Sequence, residues 1–424
     1  MKKIKNSKLK IINSLGLGLI LVVNFAFCTL NFAFSVGVSP LYNAQVLGGQ
    51  YFFHGDKANL SGNASFLAAP ALKFNEEWSL IPNYYGSFQG TKQVLDLVGA
   101  GTLFQQVQNH RLGIKAIYDF DDFWRFKSSL GYKIELAKET RDEAWGKGLF
   151  DYHKPGGGVE VEYVYEEPFS VRLGLDSYYI FFPNYSSLES QRALDFNGEP
   201  LARELVGSHV INTWGNMATL SGSCPLGERA VVEGQYLFNY QKYPSQHLVD
   251  ASGAFTSTLR NDKTHSGQAA VRLPQKWGAS LRGILSFGVG ATLVQSNQNN
   301  YDARNTLFIA KYYNYQEFKT EPALDLSWEG PQKDRPVGLK LGLAGYYRRY
   351  SDRLSQDSTG IYLAEKIHQL TGAINLSLHY PLAPNFGLLF HVQYGNASSN
   401  MKFEQFYKYN YTAASYLFGF KYEY

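Results

Sequence analysis

Cysteine is nearly missing from this chain. Of the two in 424 residues, Cys28 lies in the N-terminal apolar run and Cys224 stands alone, which excludes both an intramolecular disulfide framework and a thiolate metal cluster. Long apolar runs are missing too. Beyond residue 35 nothing approaches the roughly 18 uninterrupted apolar residues of a membrane-crossing helix, and a mean hydropathy of −0.26 is too polar for a helical membrane protein. Neither sign of charge dominates: 40 Lys and Arg stand against 36 Asp and Glu, and five of those lysines fall in the first ten residues. The rest is near neutral, so nothing in its balance points to nucleic acid. There is no Pro/Ser-rich spacer, charge block, low-complexity tract or repeat of about 40 residues. A chain of this length ordinarily divides into domains; this one offers no place to divide. Clustered histidines and Asp-x-Asp-x-Gly loops are lacking, so no metal site is expected. Gly156-Gly157-Gly158 has no following Lys or helix and reads as a loop-to-strand joint, so no cofactor is expected either.

What is present begins with a leader. Lys2, Lys3, Lys5, Lys8 and Lys10 precede an apolar run from Ile11 to Phe34 that closes on Ala33-Phe34-Ser35. That order marks a secretory signal peptide over 1–35, with cleavage expected after Ser35. An uncleaved anchor is the competing reading of the same run. Phe27 argues against a lipoprotein, because processing at Cys28 needs a small residue before it. Residues 36–424 are then one domain, rich in Tyr (31), Phe (29) and Gly (40).

That domain alternates with period two. Val171, Leu173 and Leu175 oppose Arg172, Gly174 and Asp176; Leu130, Tyr132, Ile134 and Leu136 oppose Lys127, Ser129, Gly131, Lys133 and Glu135. The same holds for Val159, Val161 and Tyr163 against Glu160 and Glu162, for residues 337–343 around Lys340, and for 374–379. Strands with one apolar and one polar face sit between lipid and water. Their connections alternate as well. Tight turns are expected at 75–77, 119–123, 166–168, 225–227, 274–276, 330–336 and 381–385, and long connections at about 88–108, 139–155, 183–208, 244–264, 296–308, 351–364 and 397–408. An antiparallel up-and-down transmembrane β-barrel with short periplasmic turns and long extracellular loops predicts this rhythm. The segments number about 16, provided 44–53 and 60–74 form the first hairpin around His54-Gly55-Asp56. The count falls to 14 if a weak hairpin is misread. Trp78, Trp124, Trp277 and Trp328 beside the tight turns suit a periplasmic aromatic girdle. The opposite girdle is expected from 178–182, Tyr240, Tyr346 and Tyr394, and Pro82 is expected at a bulge or strand end.

The last fourteen residues, Tyr411 to Tyr424, carry a resemblance. Tyr424, Tyr422, Phe420, Phe418 and Tyr416 share one face, and Gly419 is followed at fixed spacing by Tyr422 and Tyr424. This resembles the C-terminal strand of bacterial outer-membrane β-barrels, a porin-like superfamily in which such a Gly and two aromatics, the second terminal, are read by the barrel assembly machinery. Two departures stand out: Tyr ends the chain where Phe is commoner, and Leu417 occupies a usually polar place. The resemblance implies an outer-membrane location, lipid and the assembly machinery as partners, and Gly419, Tyr422 and Tyr424 as the assembly signal. Barrel enzymes of this class place His two before Ser on one strand face, and none of the nine histidines is followed by x-Ser. His391-Val392-Gln393 lacks the nucleophile. Asp250, Asp262 and His265 fall in one expected loop as ordinary solvated residues, so no enzymatic role is expected.

The lumen remains. Inward positions on the regular strands hold Lys115, Lys127, Lys133 and Arg172, then Arg272, Arg282, Lys340 and Lys421. The acids among them are Glu135, Glu160, Glu162 and Asp176, then Glu233, Asp325 and Glu423. Eight bases against seven acids imply no strong ion selectivity. The expected function is a porin-like channel for passive diffusion of small hydrophilic solutes, with the loop around 184–208 long enough to fold inward as a constriction. The alternative is a scaffold for surface display, adhesion or assembly of surface proteins. Self-association into a homo-oligomer is left open, since no outward small or polar stripe marks an interface.

Overall fold

The computed structural model describes residues 37–39, 42–53, 57–95, 102–138, 143–187, 203–227, 229–302, 305–332, 334–404 and 409–423. The leader and Tyr424 lie outside them. Sixteen long strands run β1 Tyr42–Phe53, β2 Lys57–Ala68, β3 Trp78–Leu95, β4 Thr102–Asp119, β5 Trp124–Lys138, β6 Tyr152–Val164, β7 Ser170–Ile180 and β8 Thr213–Leu226, then β9 Ala230–Val249, β10 Phe255–Trp277, β11 Leu281–Ser296, β12 Tyr315–Gln332, β13 Arg335–Gln356, β14 Tyr362–Ala383, β15 Phe386–Ser399 and β16 Tyr411–Glu423. Each pairs antiparallel with its neighbours in sequence. β16 also pairs with β1, from Asn43↔Glu423 to Phe53↔Ala413. Every long strand therefore has two partners, and the sheet closes on itself without a free edge.

The period-two code fixes which face each residue takes. Directly paired residues share a face, so Leu112 opposite Tyr132 and Ile114 opposite Leu130 look outward, while Lys115 opposite Ser129 looks inward. The outward side chains are exposed without water-soluble company: Leu130 is 67% exposed and Phe418 59%. A register slip of one residue would move the lysines of β5 into that apolar band.

The two ends differ as expected. One end has most of the short connections, with the start of β1 and the end of β16; the other has most of the longer ones. Asn75 and Asp121 each stand three residues before a Trp and close the first two short turns. Asn75 Oδ1 accepts from the N–H of Glu77 (3.1 Å) and Trp78 (2.6 Å), and Asp121 Oδ1 from Phe123 (2.8 Å) and Trp124 (2.7 Å). Trp78, Trp124, Trp277 and Trp328 all face outward at this end, in register with Tyr118, Tyr163 and Leu281.

Several expectations need correction. Pro274 is inside β10, opposite Ile284; the turn follows Trp277, where Gly278 takes a φ of 72°. Pro82 lies in mid-strand opposite Ile114, where β2 and the short Ala71–Lys73 strand leave Ile81–Asn83 unpaired on the other edge. The expected long loops 244–264 and 351–364 are mostly strand, closed by turns at 250–254 and 357–361. Gly253 and Gly360 supply the positive φ that each turn requires. Tyr178 and Tyr346 face the lumen instead of joining the outer girdle, whereas Tyr240 and Tyr394 do face outward.

Candidate functional site: the lumen

The inward faces of β4 to β7 form stacked rows set by register. Nearest the short turns, Asp119, Arg125, Glu162 and Arg172 stand side by side. Glu162 is buried; its carboxylate takes Arg172 Nε at 2.5 Å, Lys127 Nζ at 2.6 Å and Arg125 Nη1 at 3.5 Å. Lys127 also reaches Glu160 at 2.6 Å. Four of the expected lining residues thus form one ion network. Higher up, Lys133 Nζ meets Glu135 at 2.9 Å and Tyr152 Oη at 2.5 Å.

Across the next row Arg111 pairs with Lys133, and Lys133 with Lys154, so three bases line up on adjacent strands. Like charges directly opposite each other repel. Lys154 lies 3.8 Å from the Tyr178 ring centroid, a contact that partly offsets its desolvation. Arg111 and Lys154 were missed in the sequence. His110-Arg111 breaks the alternation by putting polar residues on both faces, and Lys154 fell inside an expected loop. Equal parity with Lys115 was the available signal for Arg111.

On the facing wall most charges cancel. Arg272 meets Glu233 at 3.0 Å, Lys319 meets Glu321 at 3.0 Å, Lys340 meets Asp325 at 3.5 Å and Arg348 meets Glu317 at 2.6 Å. Arg335 and Lys421 share Glu423. Counting residues balanced the lumen, but pairing does not. Along the lumenal strands Arg111, Lys115, Lys154, Lys276 and Arg282 take part in no ion pair among the described residues, against Asp176, which lies in the field of Arg111 and Lys154, and Glu329, which shares the parity of Asp325. Lys276 and Arg282 face each other directly. Toward the short turns, a hollow of about 470 Å³ is lined by Arg172, Glu233, Gln235, Gln268, Arg272 and Glu321, among others.

The loop end is built differently. The turn Arg203–Leu205 puts Glu204 in a buried site where Oε1 accepts from Tyr313 Oη (2.8 Å) and Asn300 Nδ2 (3.3 Å), while the Glu204 carbonyl accepts from Gln246 Nε2 (2.7 Å). Arg260 of β10 is stacked between Tyr243 (4.4 Å) and Tyr313 (4.3 Å) and is bonded to Asp262 through Nη2 at 2.7 Å. Burial pushes the Tyr313 phenol well above its ordinary value. Arg353 of β13 is held in the same way between Tyr312 (4.2 Å) and Tyr350 (4.6 Å), and donates to Tyr409 Oη at 3.0 Å. Consecutive tyrosines of one loop thereby clamp arginines from two strands. Asp262 and Arg260 share the inward parity of Arg272, so this cage lies on the lumenal side. Asp262 is therefore no loop residue, and His265 faces outward toward Tyr236.

Ser377 Oγ and His391 Nδ1 are 2.7 Å apart on facing strands, a pair that a same-strand search does not see. No carboxylate bonds His391 among the described residues, and the contact is an ordinary cross-strand hydrogen bond. Of the expected assembly signal, Gly419 faces inward and Tyr422 outward.

No protein-family model matches the chain, and no curated protein matches it. Among solved structures, a bacterial polysaccharide outer membrane secretin is 10% identical, with 91% of this chain and 98% of that chain covered at a TM-score of 0.46. OccAB3 of Acinetobacter baumannii is 6% identical over 91% and 100%, at 0.46. OmpT of Vibrio cholerae in its trimer form is 12% identical over 92% and 99%, at 0.43. At such identities the likeness concerns the fold alone.

Proposed function

We propose that this chain is a porin-like channel of the bacterial outer membrane, not an enzyme, and that it passes small hydrophilic solutes with a preference for anions. Its short turns face the periplasm and its longer connections face outside. The observation that carries the reading is the lumen's uncancelled charge: among the described strand residues, five bases without an ion pair against Asp176 and Glu329, on the inside of a closed ring of sixteen strands. Barrels of about sixteen strands are wide enough for an aqueous path, and a surplus of one sign raises the local concentration of the opposite ion. The loop-end cage, on the lumenal side of β9 to β13, supports a constriction there; most of the loop expected at 184–208 lies outside the described residues, and Arg203–Leu205 is the part that the cage holds.

Planar bilayers test this. Refolded protein is expected to give discrete conductance steps, and under a KCl gradient a reversal potential of the sign for chloride preference. Arg111→Gln with Lys154→Gln should move that potential toward zero. An absence of steps from heat-modifiable protein would overturn the channel and leave the scaffold reading.

A further inference from the structure

The outward face carries a second, unrelated charge pattern. At every outward position fixed by a cross-strand partner there is no Asp or Glu, and the ionisable bases and histidines there all lie toward the loop end. Tyr240 pairs with Lys263 and Phe238 with His265, so Lys242, Lys263 and His265 form one patch over β9 and β10. Arg349 pairs directly with His368 to form another over β13 and β14. Lys242, Lys263, Arg349 and His368 are exposed.

Depth identifies what they meet. His265 stands twelve residues before the girdle residue Trp277 on the same strand, and His368 twelve before Tyr380. At about 3.3 Å per residue and a tilt near 45° this is roughly 28 Å along the normal, the width of the hydrocarbon layer. The patches therefore sit where headgroups begin. Tyr236 Oη bonds His265 Nδ1 at 2.7 Å, which fixes the ring and leaves Nε2 for the lipid side. Tyr132 holds His153 in the same way at 2.8 Å.

We infer that these patches bind phosphate-bearing lipid headgroups of the leaflet at the loop end. The inference needs the barrel to lie in lipid but does not need it to conduct. Full-length protein in phosphatidylcholine nanodiscs, probed with spin-labelled phosphatidic acid and spin-labelled phosphatidylcholine, measures the preference directly. The phosphatidic acid should associate several-fold more strongly. Each neutralised base in Lys242→Gln, Lys263→Gln and Arg349→Gln is expected to lower that preference about fivefold at most, while Lys242→Arg with Lys263→Arg keeps it and lumenal Lys115→Gln leaves it unchanged. Heat-modifiability of each variant separates lost binding from lost folding. Equal association of the two lipids, or a preference untouched by the three neutralisations in folded protein, would overturn the proposal.

Discussion

The two ends of the lumen hold their charges in opposite ways. Near the short turns, Glu162 gathers Lys127, Arg172 and Arg125, but the two arginines are 49% and 43% exposed and water reaches their outer sides. At the loop end, Arg260 and Asp262 are 11% and 8% exposed and walled in by aromatic rings. The first network can exchange partners with solvent, whereas the second has no substitute for a lost partner. In the proposed channel, wet charges would be available to a solute in transit and dry ones would fix the shape of the path.

The comparison breaks most visibly at Arg260. Arg260→Met leaves Asp262 buried without its cation, which is expected to cost about 3 to 5 kcal/mol. Losing the stack should also free Tyr313 and, through it, Glu204. Limited proteolysis would report cleavage within 203–212 long before the barrel unfolds. Resistance equal to that of the parent chain would mean that the cage is not what anchors this loop.

The apolar band between the two ends sets the scale for both. Leu130→Arg places a guanidinium at the lipid midplane and should cost about 2 to 4 kcal/mol in urea unfolding from vesicles. Ser129→Arg, one residue away and facing the lumen, should cost nearly nothing. Similar costs for the two would contradict the assigned faces.

A smaller effect is expected at the wet network. Glu162→Gln removes the shared anion from two exposed arginines that water can rehydrate and from Lys127, which is 11% exposed but keeps Glu160 at 2.6 Å, so the loss is put at about 1 kcal/mol. Its sharper readout is ionic: the lumen gains positive charge near the short-turn mouth, and chloride preference in bilayers should increase. A fall in that preference would show that Glu162 is not a counter-charge to the path.

The same contrast explains what the sequence disclosed. Strand faces, the first short turns and the Trp girdle follow from local rules, a period of two and an Asn or Asp three residues before Trp, and those expectations agree with the fold, whereas the turns expected at 225–227, 274–276 and 381–385 lie partly or wholly inside strands. The cage does not follow from any local rule. Tyr313 meets Glu204 across 109 positions and Arg353 meets Tyr409 across 56, and both arginines fell in stretches too polar to be recognised as strand. Arg111 and Lys154 escaped for a related reason: a basic row exists only once register brings neighbouring strands together. Counting charges gave near neutrality, but which of them remain unpaired depends on the same register.

The loop-end turns offer the finest discrimination, because they are local elements standing among non-local ones. Asp250-Ala251-Ser252-Gly253-Ala254 and Asp357-Ser358-Thr359-Gly360-Ile361 close by the same device: Asp357 Oδ1 accepts from Thr359 Oγ1 (2.6 Å), Thr359 N (2.8 Å) and Ile361 N (3.0 Å), and Asp250 has the matching contacts to Ser252 and Ala254. The Thr359 hydroxyl, with these backbone donors, holds the Asp357 carboxyl below its ordinary value. A depressed carboxylate supports the folded turn above its unfolded value and loses that support as pH falls through the folded one, so the window lies below about pH 4. Amide exchange at Thr359 and Ile361, corrected for intrinsic rates, should accelerate there, while Arg260 and its cage keep their protection. Asp357→Asn should show faster exchange at neutral pH and no further step on acidification. Were the variant to keep the acid step, the titrating group would lie elsewhere, and the turn would depend on the buried cage instead of on its own aspartate.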